Sequence, residues 1–240
     1  MSPDPYGRAI RDRVRGDQTE PLIHRDGPES GEHPIDEFYL TPFTGEDADG
    51  EWLESRLEGP LLDIGAGAGR HARYFQERFE TVAIEVSEHL VETMRERGVR
   101  NARCADMFEL RESFDRNRFR SALAHGTQLG LAGSMQGLRR FLGDLAVVTA
   151  PEATAVLDCY DPTVDGAETL CGYRSDPTPG LAHRLLHFEY EGEVGETLLF
   201  RLFSPSRVRE AAVGTGWRVA GVRHESGENQ AHYWATLEKP

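Results

Sequence analysis

The segment Leu61–Gly69, reading LLDIGAGAG, constrains this chain more than any other stretch. Its first half is an apolar run with the composition of a buried strand. Its second half places Gly65, Gly67 and Gly69 on alternate positions, and Arg70 to Phe79 follows with helical periodicity. Such glycines permit positive φ and let the main chain approach a ligand where a Cβ would intrude, while the next helix begins with N–H groups that lack intrahelical partners. A ligand-binding strand, turn and helix is expected here. The spacing narrows the ligand: a dinucleotide fingerprint, G-x-G-x-x-G, needs glycine or alanine at position 70, which is Arg70. The phosphate loop with its lysine is absent too, Lys239 being the one lysine in the chain.

The pattern is regular from Gly50 onward. Trp52, Leu53 and Leu57 form a helical stripe; strands are expected at Leu61–Ile64, Thr81–Val86, Val99–Ala105, Phe119–Ala124 and Thr154–Cys159. Between them, Ser87 caps a helix to Arg97 with Gly98 as its stop, and Leu138–Leu145 reads as helix. Strands alternating with helices imply a parallel, doubly wound α/β sheet with right-handed crossovers. Later, Arg184–Tyr190 and Glu196–Phe203 read as a hairpin, Ser204-Pro205-Ser206 opens a helix to Val213, and Trp217–Arg223 and His232–Leu237 are strands around a Gly227-Glu228-Asn229 turn. Residues 1–49 are polar and rich in Pro, Gly and Asp; they are expected to form an arm, either a solvated or partly disordered helix, studded by Arg8, Arg11, Arg13 and Arg15 with Ile10 and Val14, or a lid carried by Phe38, Tyr39 and Phe43.

Acidic residues number 41 against 27 basic ones, a net charge of −14, which opposes the phosphate neutralisation that nucleic-acid binding requires. With 26 arginines and one lysine, the acidic surface suits a halophile, although a bias toward arginine codons gives the same numbers. Cys104, Cys159 and Cys171 have no metal or disulfide spacing and are expected to be small buried side chains in a reducing, cytoplasmic setting. No apolar run suggests a membrane span or secretion signal.

The glycine triplet with Asp63 two residues before it resembles motif I of the class I S-adenosylmethionine-dependent methyltransferases, and three further signals stand in register with it: Glu85, Asp106-Met107 and the terminal strand pair. The resemblance covers residues 50–240. It implies a mostly parallel, seven-stranded sheet whose last two strands are antiparallel, with S-adenosylmethionine as cofactor. The cofactor-binding set it implies is Asp63, Gly65, Ala66, Gly67, Gly69, Glu85, Val86, Asp106, Met107 and His125. Glu85 would accept hydrogen bonds from ribose hydroxyls, a role shared with dinucleotide folds; Asp106 would receive the adenine amino group, with Met107 against the ring. Asp63 would orient the turn and face the methionine amino group.

The donor methyl is already activated, so the protein mainly has to align a nucleophile and exclude water. A base is needed only for a protonated acceptor. His125 is the first candidate, with Tyr160 and Asp161 as alternatives, and an insertion at about 161–203, including Tyr173 and Arg174, is expected to wall the acceptor pocket. His183, His187, His224 and His232 lack metal-site spacing, so no metal is expected. The chain lacks an Asn-Pro-Pro-Tyr sequence and the paired aspartates of aminopropyl transferases, which removes those substrate classes. The expected function is methyl transfer to a small-molecule acceptor. The alternatives are a non-catalytic donor-binding module of the same fold and a nicotinamide-dependent oxidoreductase.

Overall fold

A computed structural model describes residues 3–225 and 230–239. The chain begins with helix α1 (Pro5–Arg15), a hairpin of β1 (Ile23–Asp26) and β2 (Glu29–Glu32), a π-helical turn at Asp36–Leu40 and helix α2 (Ala48–Glu54). The alternating core follows as β3 (Leu61–Ile64), α3 (Arg70–Phe75), β4 (Thr81–Glu85), α4 (Glu88–Glu96), β5 (Ala102–Cys104), α5 (Leu110–Ser113), β6 (Phe119–Ala124), α6 (Met135–Val148) and β7 (Thr149–Tyr160). Then come β8 (Tyr173–Ser175), β9 (Leu181–Tyr190), β10 (Glu193–Val194), β11 (Leu198–Phe203), α7 (Pro205–Ala212), β12 (Arg218–His224) and β13 (His232–Glu238). The expected Gly227-Glu228-Asn229 turn lies outside the described residues.

The main sheet runs β12-β13-β7-β6-β3-β4-β5. Strands β3 to β7 are parallel, β13 is antiparallel to β7, and β12 is antiparallel to β13. Both faces are covered, as a parallel sheet requires. Leu62 and Ile64 point to a core shared with Phe141, Leu142 and Leu145 of α6 and Val208 of α7. Leu61, one residue out of phase, meets Leu53 of α2 and Phe75 of α3 on the other face.

Several expected boundaries move for physical reasons. Strand β5 keeps three residues because it is an edge pairing only with Ala83–Glu85, and Val99 instead packs with Met94 and Ala72. Strand β7 lengthens at both ends: Thr149 pairs with Phe119 of β6 ahead of an irregularity in the register, and Tyr160 pairs with His232 of β13. Helix α3 ends at Phe75, although the Phe79 N–H still bonds the Phe75 carbonyl at 3.1 Å. The insertion expected after β7 contains β8, whose Tyr173, Arg174 and Ser175 pair with Arg184, His183 and Ala182 of β9.

A second sheet lies against the first, with β9 as its spine. One half of β9 pairs with β8 and β11, the other with β1 and β10. The N-terminal hairpin and residues 173–203 therefore share one sheet, although the chain separates them widely. Helix α1 packs on α4 through Ala9, Ile10 and Leu90. Their N-termini are joined: Asp4 caps α1 by accepting the Gly7 N–H at 2.9 Å, Ser87 caps α4 by accepting the Leu90 N–H at 3.1 Å, and the Ser87 hydroxyl donates to Asp4.

Candidate active site

Parallel strands leave their ligand crevice at their carboxyl ends, and there the glycine turn follows β3. Gly65, Gly67 and Gly69 have φ of 62°, 55° and 80°, the left-handed region that a Cβ disfavours. The turn is tied to β4: the Ala66 N–H donates to the Ile84 carbonyl at 3.1 Å and the Gly67 N–H to Glu85 Oε2 at 3.2 Å, while Glu85 Oε1 accepts its neighbour's Val86 N–H at 2.9 Å. Burial raises the Glu85 carboxyl, which these N–H bonds partly offset. Val86 is 62 % exposed, an apolar side chain left open beside that carboxylate.

Asp63, next to last in β3, is 2 % exposed, and its Oδ2 has no hydrogen-bond partner among the described residues. Burial pushes its pKa up to about 7, with Glu85 adding to the effect and an Ala72 N–H opposing it. Asp106 follows β5 and accepts the Phe108 N–H at 2.8 Å, capping a short 3-10 turn whose Met107 is buried in the main core. Cys104, expected to be buried, is exposed, because β5 is an edge strand; its Sγ lies 3.6 Å from the Val86 carbonyl. Cys159 is buried as expected.

The loop after β6 supplies the other side. His125 Nδ1 lies 3.0 Å from Asp158 Oδ2, and its ring stacks on Trp234 with centroids 4.6 Å apart and 4° between planes. Asp158, near the carboxyl end of β7, is fully buried and accepts the N–H groups of Gly126 and Thr127 (2.8 and 2.6 Å) and bonds His232 Nε2 at 3.0 Å. Burial alone would raise the Asp158 carboxyl, but His125 and His232 hold it well below the usual carboxylate range. Burial would lower His232, yet Asp158 and Glu225 raise it to about 9. His71 of α3 meets the His125 ring edge-on at 4.8 Å and is pushed well down, first by burial and then by His125. Tyr160 ends β7 with its ring 5.4 Å from that of His232.

Asp161, the other alternative base, is committed elsewhere: its Oδ1 accepts both the N–H and the hydroxyl of Thr163, at 2.9 and 2.6 Å. Asp158 and His232 were not among the expected site residues. The signal for Asp158 was present, a carboxylate inside the apolar run 154–160, the same anomaly that marks Asp63 in β3. Nothing in the sequence paired it with two histidines.

Residues from the N-terminus and β9 close over these strand ends. A Cβ added to Gly67 would lie 3.3 Å from the Tyr39 ring, and one on Gly65 would collide with Gln128 at 2.5 Å. The Tyr39 hydroxyl is 2.8 Å from His33 Nε2, and the Tyr6 and Tyr39 rings meet edge-on at 5.7 Å. Arg97 fastens this segment to the turn, donating to the carbonyls of Tyr39 (2.8 Å), Leu40 (3.1 Å) and Ala68 (2.8 Å); burial lowers its guanidinium to about 10. Among the described residues no group of three or more His, Cys, Asp or Glu side chains could hold a metal, and no helix is long and apolar enough to cross a membrane.

The sheet order, the antiparallel β13 beside β7 and the glycine turn after β3 define a Rossmann-like α/β fold of the class I S-adenosylmethionine-dependent methyltransferase type. Within it, residues 62–155 match a family model described as a methyltransferase domain. The structure is similar to a methyltransferase from Bacteroides fragilis solved with S-adenosyl-L-homocysteine, at 22% identity and a TM-score of 0.77, over 98% of this chain and 94% of that one. It is also similar to the CcbJ methyltransferase from Streptomyces caelestis, at 15% identity and a TM-score of 0.59, over 79% and 93% of the two chains. A third similar structure is the 1,6-didemethyltoxoflavin-N1-methyltransferase from Burkholderia thailandensis, at 19% identity and a TM-score of 0.52, over 75% and 70%. No curated protein matches the chain in sequence.

Proposed function

We propose that this protein is an S-adenosylmethionine-dependent methyltransferase acting on a small-molecule acceptor, with His125 as its general base. The observation that carries the reading is the turn of left-handed glycines whose Gly67 N–H is held by Glu85 at the carboxyl ends of β3 and β4. The residues present fit the cofactor. Asp63 Oδ2, buried and unpartnered among the described residues, suits an ammonium group, Glu85 suits vicinal ribose hydroxyls, Asp106 an adenine amino group, and the exposed Val86 a flat ring. Ala66 and Met107 belong to the same set through their backbone.

S-adenosylmethionine, when bound, supplies a methyl on a sulfonium sulfur that departs as a neutral thioether. The protein's part is to orient an acceptor and receive its proton. Asp158 beside Nδ1 favours the His125 tautomer protonated there, which leaves Nε2 to take a proton from an acceptor hydroxyl or ammonium as the nucleophile accepts the methyl. Asp158 also stabilises the imidazolium that results, and a protonated His232 balances the buried carboxylate beforehand. Tyr160 borders the acceptor side. The aromatic cover over Gly67 and the −14 charge favour a small acceptor over nucleic acid, and one structural neighbour is itself named for a small-molecule acceptor.

Calorimetric titration of S-adenosylmethionine and S-adenosylhomocysteine, at low and high potassium chloride, tests the reading. Micromolar binding is expected, and no binding by a folded sample overturns it.

A further inference from the structure

We propose that the Arg184 guanidinium binds a carboxylate of the methyl acceptor, which makes the acceptor a small acid with a flat, apolar body. This rests on the methyltransferase reading above and deepens it. On the second sheet, Arg25, Arg174 and Arg201 are each paired with a carboxylate, Glu189 at 2.9 Å, Asp26 at 2.6 Å and Asp176 at 2.5 Å. Arg184, on the spine strand between them, pairs with no carboxylate among the described residues, in a chain where acidic residues outnumber basic ones by 41 to 27. It is partly buried, and Nε donates to the Cys171 carbonyl at 2.9 Å, which anchors the group. A cation withdrawn from water without a counter-ion is costly, and a ligand anion would offset that cost. The planar fork of a guanidinium matches a carboxylate in two hydrogen bonds.

Its place joins it to the reaction. The guanidinium carbon lies 6.0 Å from the Tyr160 ring centroid, Tyr160 meets His232 at 5.4 Å, and His232 bonds Asp158, the carboxylate beside His125. Directly across from Arg184 stand Phe200 on β11 and Tyr173 on β8, which supply apolar flanks for a flat molecule. The positive charge is felt at the N-terminal hairpin too. Burial lowers His24, with Arg184 adding to the effect, and burial, His24 and Arg184 together lower His33 to about 4. An acceptor carboxylate at Arg184 would fix one end of the molecule and leave a hydroxyl or amino group at the other end for His125.

The test uses the full chain and paired probes: salicylate, 4-hydroxybenzoate and anthranilate, each against its amide, with radiolabelled S-adenosylmethionine as donor. The expected result is turnover of at least one acid, with its amide at least tenfold poorer in kcat/KM. Arg184→Met should raise KM for that acid by tenfold or more while S-adenosylhomocysteine binds as in the wild type; Arg184→Lys, which keeps the charge and loses the fork, should fall between and carries the test if the methionine variant does not fold. Equal use of acids and amides, no turnover of any acid, or an unchanged KM in Arg184→Met would overturn the assignment. Loss of S-adenosylhomocysteine binding in Arg184→Met would overturn it as well, by giving the guanidinium to the donor's own carboxylate. Failure of the wild type to bind S-adenosylhomocysteine at all would instead sink the methyltransferase reading.

Discussion

The proposed donor side of the site and its proposed acceptor side are assembled in different ways. The donor side is local: Gly67 and Glu85, whose bond ties the turn to the next strand, are 18 residues apart, and most of its contacts come from backbone N–H groups. The acceptor side is non-local: His232 reaches Asp158 across 74 residues, and Arg97 reaches Tyr39 across 58. Backbone geometry can be specified by a short run of residues because left-handed turns admit few residue types. A surface made of side chains from β6, β7, β9, β13 and the N-terminal segment can change any member without disturbing the turn.

If the two sides are separable, changes on one should leave the other intact. The largest effect is expected from His125→Ala, with turnover falling roughly 10²- to 10⁴-fold for a protonated acceptor while S-adenosylhomocysteine affinity is kept. Single-turnover methylation beside calorimetry checks it; full activity would remove His125 from the chemistry. Glu85→Ala should do the reverse. Loss of a charged hydrogen-bonding partner, about 1.5 to 3 kcal/mol, weakens donor binding by roughly ten- to over a hundredfold, and an unchanged titration would refute the donor site.

Arg97→Met probes the seam between the two sides. It strips the carbonyls of Tyr39, Leu40 and Ala68 of their donor. A cost of about 1 to 3 kcal/mol corresponds to a fall of roughly 2 to 12 °C in the thermal midpoint; a midpoint unchanged by calorimetric scanning would mean the cover is not fastened there. The smallest effect is a pH dependence. His232 is raised in the folded state from 6.5 to about 9, so its stabilisation is full below pH 6.5 and is lost as pH rises through 9. Wild type should lose a few degrees of midpoint across that window relative to His232→Gln, and parallel curves for the two proteins would show that Asp158 and His232 are not coupled.

Much of the main sheet was legible because its signals are local. Ser87 caps α4, apolar runs mark β3, β4 and β6, and the glycine spacing alone argues against a dinucleotide. The hairpin at β1 and β2 was not legible, since Ile23–Glu32 is mostly polar and becomes strand only because β9 offers an edge to pair with. Cys104 was misjudged for a related reason: its type favours burial, but its strand ends at the sheet's edge.

By itself the sequence determined the strand-turn-helix of the proposed donor site, the succession of strands β3 to β7 and the carboxylates Asp63, Glu85 and Asp106 at or near the strand ends, because φ preference, capping and periodicity act over a few residues. Only the tertiary structure decided that Asp158 lies between His125 and His232, that Tyr39 rests on Gly67, and that Arg184 faces Tyr160 without a carboxylate among the described residues. Those relations depend on which distant segments pack together and on the cost of burying charge, and neither is written in any short stretch of the chain.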